Sequence, residues 1–297
     1  MGGPAADRLL RCEVRPTREW ENAGPRHHVP VTSPLHHSKS DRHQAFNELA
    51  GAYSTAQPDY PEALWAALRD ALADKPVPQV AADVGSGTGI STRQLAAALP
   101  HWHIIGVEPG DAMRAQAAED SRGTAIEFVH GSAEEMPLEA ASVGLVVAAQ
   151  VLHWLDHSRF YAEARRVLAP GGTIGIVQIN RSWPDSPLLE DYENFLEEHS
   201  PGYSRDYCQF DVVAELAAAG FDHVRHMPSE WILSMTHERF VNMARSSTKL
   251  QAAVDALGDA HVEGVLRALL EQHHPSGKFE VPYISDLYTG QHRGNPL

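Results

Sequence analysis

Residues 80–91 read VAADVGSGTGIS, an apolar run that ends in an acid and is followed by glycine at every second position. Glycine has no Cβ, so this spacing favours a backbone that turns sharply and lets a ligand approach closely. A glycine-rich turn between a strand and a helix is typical of nucleotide-binding loops. Two kinds of ligand fit such a loop: a dinucleotide, or a nucleoside that carries no phosphate.

Short apolar runs alternate with helical patterns on both sides of this loop. We predict strands at 79–84, 103–108, 126–130, 143–149, 173–180, 223–234 and 278–288. We predict helices at 42–53, 61–73, 90–99, 111–119, 133–136, 158–168, 211–219, 237–247 and 260–273. This alternation indicates an α/β fold with a doubly wound, mostly parallel sheet. Within the last strand, Pro282 indicates an edge position or a bulge.

Composition narrows the classes of function. The chain has 297 residues, a net charge of −15 and two cysteines. The acidic balance and the lack of a basic stripe argue against nucleic acid as a partner. No apolar run approaches ~18 residues, so we expect no membrane span. Two cysteines form neither a disulfide framework nor a metal-ligand pattern, so we expect a cytoplasmic protein without a bound metal.

The chain divides into two regions of different character. Residues 1–43 hold five histidines and five prolines without apolar periodicity, so we predict a disordered or loosely packed tail. Residues 44–297 form the predicted domain. Within it, 181–210 contains six aromatic residues. We predict that this segment and 237–275 are helical insertions that cover a binding site.

One acid and the glycine spacing decide between the candidate ligands, whereas a second acid, Glu108, suits both. Glu108 ends the second predicted strand, where a carboxylate can accept hydrogen bonds from ribose hydroxyls. Asp83 lies two residues before the first glycine, where it would repel a pyrophosphate and attract an ammonium group. The third glycine also comes one place too early for the dinucleotide pattern G-x-G-x-x-G. The sequence therefore favours a nucleoside that carries an amino acid.

Five motifs in order resemble the class I S-adenosylmethionine-dependent methyltransferases over about residues 45–290. They are DVGSGTG (83–89), VEP (107–109), HGSAEEMP (130–137), QVLHW (150–154) and RVLAPGG (166–172). Tyr53, QPDYP (57–61) and LHW (152–154) look like the small-molecule branch that contains trans-aconitate methyltransferase. The chain departs from that pattern at Ser132, where the family often has Asp, and at Gln57, where the branch has Arg.

The resemblance implies a Rossmann-like methyltransferase fold of seven strands with an antiparallel last strand, and it assigns roles to residues. The implied S-adenosylmethionine site comprises Asp83, Gly85, Ser86, Gly87, Gly89, Glu108, Pro109, Met113, Ser132, Ala133 and Gln150. The implied acceptor site comprises Tyr53, Tyr60, His153, Trp154, Trp183, Trp231 and Arg245. His153 and Tyr53 are the candidate catalytic residues, since a histidine with a pKa near neutrality can take a proton.

Several alternatives stay open on the acceptor side. His153 either acts as a base or packs and hydrogen-bonds. Arg245 either clamps a carboxylate or faces solvent. Trp231 either lines the cavity or fills the core. The acceptor group is a carboxylate, hydroxyl, amine or heteroaromatic carbon.

The predicted function is methyl transfer to a small molecule, by an enzyme that is a monomer or homodimer. Two other functions compete with it. One is a nicotinamide-dependent oxidoreductase, which the glycine spacing and Asp83 disfavour. The other is a protein that binds S-adenosylmethionine without catalysis.

Overall fold

The computed structural model describes residues 57–73 and 76–294. Within these ranges one sheet forms from seven strands: β1 (Val80–Val84), β2 (His103–Val107), β3 (Glu127–Val129), β4 (Val143–Ala149), β5 (Leu168–Arg181), β6 (Phe221–Thr236) and β7 (Lys278–His292). Their order across the sheet is β3-β2-β1-β4-β5-β7-β6. The predicted seven-stranded α/β fold is confirmed.

Strand directions also agree with the prediction. The pairs β1–β2, β1–β4, β2–β3 and β4–β5 are parallel. The last strand, β7, runs antiparallel to both β5 and β6. Every residue of β4 is buried, as expected for a central strand that is covered on both faces.

Helices cover both faces of this sheet. They are α1 (Glu62–Leu72), α2 (Ile90–Ala98), α3 (Asp111–Asp120), α4 (His157–Val167), α5 (Pro187–His199), α6 (Val212–Ala218), α7 (His237–Arg245), α8 (Thr248–Leu257) and α9 (Asp259–His273). One apolar cluster joins α1 and α2 to α5 and α7–α9 on one face. A second cluster, which includes Phe160 and Leu216, packs α4 and α6 against the other.

One predicted helix is absent, and two helices lie in segments that were predicted as helical only in outline. Residues 133–136 form no helix, because Ser132 and Glu135 exchange backbone hydrogen bonds of 3.4 and 3.2 Å in a tight turn. Helix α5 lies within 181–210, a segment predicted as a helical insertion without bounds for its helix; Ser186 caps it and Pro187 begins it. Helix α8 lies within the predicted helical insertion 237–275, between the two helices that were given bounds there, and Ser247 caps its first turn.

The edge or bulge predicted from Pro282 is wrong. Strand β7 lies between β5 and β6, and its pairing with β6 continues in register through Pro282. The Pro282 carbonyl accepts a hydrogen bond from the Ser182 amide at 2.8 Å, just beyond the last β5–β7 pair, Arg181 with Tyr283. An inner strand tolerates proline here because the missing N–H points to the side on which β5 has ended.

Some predictions fall outside the described residues. These are the tail 1–43, the helix 42–53 and the candidate residue Tyr53. None of the described helices combines the length and the apolar content that a membrane crossing requires.

Candidate active site

The candidate site lies where the order of strands reverses. From β1 the chain builds outward to β2 and β3, and it then crosses to β4 on the other side of β1. The loops that follow β1 and β4 therefore diverge, which leaves a crevice at the carboxyl ends of the strands. A cavity of about 1340 Å³ opens there. Its wall combines the loops after β1, β2, β4 and β5 with residues from α5, α7 and α8.

The glycine loop forms the floor at one end of this cavity. The Gly85 amide donates to the Val107 carbonyl at 2.8 Å, which ties the loop to the end of β2. Gly87 has a φ of 54°, in the left-handed region. A Cβ on Gly87 would meet only the Gly85 carbonyl oxygen, 4.0 Å away. The backbone of Gly87 is thus open for close approach of a ligand.

Asp83 lies beneath this loop with 1% of its surface exposed. Its Oδ2 accepts hydrogen bonds from the Ser91 and Thr92 hydroxyls at 2.7 and 2.6 Å. Its buried Oδ1 has no partner among the described residues. Burial raises the pKa of Asp83 to about 6, and the hydrogen bonds from Thr92 and Ser91 oppose this rise. The carboxylate is therefore desolvated, and the described residues supply no cation that stabilises its charge.

Two hydroxyls of the loop share this lack of partners. Ser86 Oγ and Thr88 Oγ1 are buried and make no hydrogen bond within the described part of the chain. Buried polar side-chain atoms in folded proteins are nearly always hydrogen-bonded, so unpartnered ones mark a strained or ligand-binding place. Together with Asp83 Oδ1 they put three unsatisfied polar atoms at one loop, which fits the polar end of a bound molecule.

Glu108 joins the loop after β2 to the glycine loop. Its Oε2 accepts from the Gly87 amide at 2.9 Å, and its Oε1 accepts from the Gly110 amide at 2.7 Å. Each oxygen of a carboxylate can accept a further hydrogen bond. Glu108 lines the cavity, so it is available to a diol as the sequence predicts.

The structure brings four further candidate cofactor residues to the same cavity, whereas Gly89 and the buried Asp83 lie behind its wall. Pro109, Met113, Ser132 and Ala133 line it beside Glu108. Their positions after β2 and β3 follow from the parallel sheet, in which the carboxyl ends of neighbouring strands meet at one edge.

Gln150 lines the cavity, but its side chain is already bound. The amide Nε2 donates to the Ile179 carbonyl at 2.6 Å, and the Ile179 amide donates to Gln150 Oε1 at 2.9 Å. Its φ of 54° is unusual for a residue other than glycine. The Gln150 side chain secures the end of β4 to β5.

Five predicted acceptor residues line the far half of the cavity. They are Tyr60, His153, Trp154, Trp183 and Trp231. Trp231 also belongs to the core, since it stacks on Tyr283 at 4.6 Å and its indole N–H donates to Ser285 Oγ at 2.8 Å. Trp231 therefore both lines the cavity and packs in the core, which were the two alternatives for this residue.

The carboxylate clamp predicted at Arg245 is not found. Arg245 does not line the cavity. Its Nη1 lies 2.9 Å from Glu263 Oε2, and its Nη2 pairs with Asp259. Residue 245 ends α7, and at this point of the turn its side chain projects toward α9 rather than inward. The neighbours Ser246 and Ser247 line the cavity instead.

His153 lies in the cavity wall on a short 3₁₀ helix, Leu152–Trp154, that follows β4. Its Nδ1 lies 3.5 Å from Cys208 Sγ, and its ring packs edge-on against Tyr207 at 4.9 Å. Burial, with the nearby charges of Lys249 and His157, lowers the pKa of His153 to about 3. An imidazole with so low a pKa is a poor proton acceptor near neutrality. The geometry thus favours the packing and hydrogen-bonding role over the base.

We expect His153 to remain neutral throughout the physiological range. In NMR spectra of the protein with labelled histidines, one imidazole should show no titration between pH 5 and 8, and that signal should vanish in His153→Asn. An imidazole that titrates near pH 6.5 and disappears with this substitution would restore the base role to His153.

Sequence reasoning missed the charged part of the acceptor half. Arg181, Glu193 and Lys249 line the cavity together with Tyr203 and Tyr207. The aromatic density of 181–210 signalled the tyrosines as a group, and Arg181 ends β5 at the ligand-binding edge of the sheet. Lys249 carried no local signal, because it reaches the cavity only through the packing of α8.

Known proteins match this chain in its central region. Residues 82–176 match the family model of a methyltransferase domain. An uncharacterised methyltransferase from Mycobacterium tuberculosis is 34% identical over 145 residues, which is 47% of this chain and 54% of that protein. Trans-aconitate 2-methyltransferase from Deinococcus radiodurans is 31% identical over 140 residues, 46% of this chain and 52% of that protein. The chain thus spans about half the length of these curated relatives.

A solved structure extends the likeness to most of the fold. A proposed type II methyltransferase from Anaeromyxobacter dehalogenans superposes with a TM-score of 0.61 and 25% identity, over 80% of this chain and 99% of that one. The superposition covers 80% of this chain, whereas residues 82–176 are less than half of it. The structural likeness therefore extends beyond the matched domain. Residues 82–176 are therefore similar to a methyltransferase domain, and most of the fold is similar to that of a solved methyltransferase structure.

Proposed function

We propose that the protein transfers a methyl group from S-adenosylmethionine to a small molecule. The observation that carries this proposal is the continuity of one cavity from the glycine loop to the aromatic half. Its volume of about 1340 Å³ exceeds the ~300–1,000 Å³ of a site for one small ligand. A cofactor and an acceptor fit such a space side by side.

The residues of the loop end suit S-adenosylmethionine. Asp83, beneath the loop, offers its negative charge to the ammonium of the amino-acid part, and its Oδ1 has no partner among the described residues. The Ser86 and Thr88 hydroxyls, which also lack partners within the described ranges, lie at the same loop. Glu108 offers a carboxylate to the ribose, and Met113 supplies apolar surface at the same end of the cavity. A pyrophosphate would instead meet two carboxylates, Asp83 and Glu108, so the dinucleotide alternative fits poorly.

The bound cofactor supplies an activated methyl group, and the chain supplies alignment. Displacement at this group is in line, so holding both partners in one orientation removes much of the barrier. The Gly87 backbone and Glu108 fix the nucleoside end, while Trp154, Trp183 and Trp231 confine the acceptor.

Two features support a small acceptor. The acceptor half is lined by side chains from β5, α5 and α8. The net charge of −15 does not suit a nucleic acid. The named activity of the Deinococcus relative, a trans-aconitate methyltransferase, adds support for small-molecule chemistry.

Isothermal titration calorimetry tests the cofactor. We expect S-adenosylhomocysteine to bind with a Kd in the micromolar range, about −8 kcal/mol, and NAD to give no heat of binding. Binding of NAD without binding of S-adenosylhomocysteine would favour the oxidoreductase and overturn the proposal. Cofactor binding with no methylation across a broad acceptor screen would favour the non-catalytic alternative.

A further inference from the structure

The cations of the acceptor half differ in how they are paired. Arg181 Nη2 lies 3.2 Å from Glu193 Oε1, and Arg205 Nη2 lies 2.6 Å from Glu197 Oε2. Lys249 lines the same cavity. Among the described residues, no carboxylate lies within ion-pair distance of Lys249 Nζ. The positive charge of Lys249 is therefore the one that the described cavity wall leaves without a direct counter-ion.

Aromatic rings hold the Lys249 ammonium. Its Nζ lies 3.3 Å from the centroid of the Tyr207 ring and 5.0 Å from that of Tyr203. Faces of aromatic rings attract cations, by ~0.5–2 kcal/mol per contact. The rings orient the ammonium but supply no negative charge. An anion that enters the cavity therefore does not compete with a carboxylate of the protein for its interaction with the Lys249 ammonium.

Other charges of the wall set a limit on that anion. Glu193 is buried and neutralises Arg181. Two further carboxylates, Asp185 and Glu230, line the cavity and are exposed. A ligand with two or three carboxylates would bring its additional charges close to these acids, which costs free energy in a partly desolvated site. Since Lys249 is the one cation without a counter-ion in the described wall, the site suits an acceptor with one negative charge.

We propose that Lys249 binds the single anionic group of the methyl acceptor, whose flat apolar body packs against Tyr203 and Tyr207. This inference rests on the proposed function and identifies the acceptor class as an aromatic or otherwise planar monoanion. Lys249 thereby takes the recognition role that the sequence suggested for Arg245. The methylated atom is a separate question, since the anionic group and the methylated group need not coincide.

Proton linkage gives this proposal a second observable. Burial lowers the pKa of Lys249 to about 7, with Arg181 adding to the lowering while Cys208 and Glu193 oppose it. The neighbours that face this ammonium are His153 after β4, Arg181 on β5, Glu193 on α5, and Tyr203, Tyr207 and Cys208 in the segment after α5. A bound anion favours the charged form, so binding should draw a proton from solvent above pH 7.

Matched ligands and matched substitutions test the proposal. Aromatic carboxylates (benzoate, cinnamate, indole-3-acetate and 2-naphthoate) are titrated against their carboxamides, with S-adenosylhomocysteine present, into wild type, Lys249→Met and Lys278→Met. Lys278 is exposed and lies outside the cavity, so it controls for the same change of residue. Phthalate and trimellitate serve as the polyanionic probes. Thermal unfolding of each variant checks that it is folded.

We expect at least one carboxylate to bind wild type about tenfold or more tightly than its carboxamide, as hydrogen bonds to charged groups allow. Lys249→Met should abolish that preference, and Lys278→Met should retain it. At pH 8, calorimetry in buffers of different ionisation enthalpy should show proton uptake for wild type and none for Lys249→Met. Tryptophans 154, 183 and 231 line the cavity, so fluorescence gives an independent affinity.

Three results would overturn the inference. They are a panel in which no carboxylate exceeds its carboxamide, a preference that survives Lys249→Met, and tighter binding of the polyanions than of every monocarboxylate. Binding of S-adenosylhomocysteine is measured first in each variant. If it binds normally, only the role of Lys249 fails, whereas its failure to bind wild type would contradict the proposed function itself.

Discussion

Asp83→Asn is expected to weaken binding of S-adenosylhomocysteine at least about hundredfold while it stabilises the cofactor-free protein. Leaving a buried charge without its partner costs about 3–5 kcal/mol, which exceeds the ~2.7 kcal/mol of a hundredfold change in affinity. In the free protein the same carboxylate is buried, and its Oδ1 has no partner within residues 57–73 and 76–294. A neutral amide of the same shape removes that penalty, by up to about 3 kcal/mol for a pKa raised from 3.8 to about 6.

Calorimetry for the cofactor and chemical denaturation for the free protein measure the two effects at pH 7.5. The exposed Asp255 on α8 supplies the control substitution, Asp255→Asn, which should change neither quantity. A variant Asp83→Asn that binds as tightly as wild type would exclude Asp83 from the ammonium site. One that binds weakly and is also less stable would point to a structural role for this carboxylate.

The raised pKa of Asp83 fixes the direction of the pH dependence. Below about pH 6 the carboxyl takes up a proton in the free protein, so affinity for the cofactor should fall as the pH drops through 6. An acid whose pKa is higher in the folded than in the unfolded state makes the free protein less stable as the pH rises from about 4 to 6. Asp83→Asn should remove its contribution to both trends.

Gly144→Ala is expected to destabilise the protein by about 3 kcal/mol. Gly144 lies in β4, and a Cβ there would approach the Pro78 carbonyl oxygen to 2.2 Å and Val77 Cγ2 to 2.8 Å. A backbone atom cannot turn aside as a flexible side chain does, so strands must shift. The melting temperature should fall by roughly 6–12 °C for a chain of this size.

Gly175→Ala in the adjacent β5 is the matched control. Its Cβ would meet Leu68 Cδ1 at 3.5 Å, an ordinary contact. Differential scanning calorimetry should therefore show little change or a slight gain, because alanine has less conformational entropy to lose on folding. Equal melting temperatures for the two variants would mean that the loop before β1 yields easily, contrary to the packing of Pro78 on β4.

Strands in the first half of the chain were predictable within one or two residues. Strand β4 was predicted at 143–149 and lies at Val143–Ala149, and β1 and β2 each differ by one residue. Their signal is local, since each is a continuous apolar run bounded by turn residues. Strands β5, β6 and β7 were predicted too short. The start of β5 pairs with β4 through Leu168 and Val143, and the end of β7 pairs with both β5 and β6. Such pairing partners are not visible in a local pattern.

Residues of the glycine-loop half were predictable for the same reason. Asp83 and Glu108 follow directly from the ends of β1 and β2, so a strand prediction also locates them. The acceptor half depends instead on segments far apart in the chain. Arg245 had a suitable side chain but lies on the outer side of α7, paired with Glu263. Lys249, four residues later, reaches the cavity from α8.

The sequence by itself determined the α/β alternation, the loop of residues 80–91 and the class of ligand that this loop suits. These features arise within a strand and the turn that follows it, where neighbouring residues settle backbone conformation and the position of an acid. Only the tertiary structure decided which charges are paired, that the Gln150 amide binds β5 and that Lys249 faces the aromatic rings. Ion pairing and desolvation depend on contacts between distant segments, and those contacts exist only when the sheet and its covering helices have packed together.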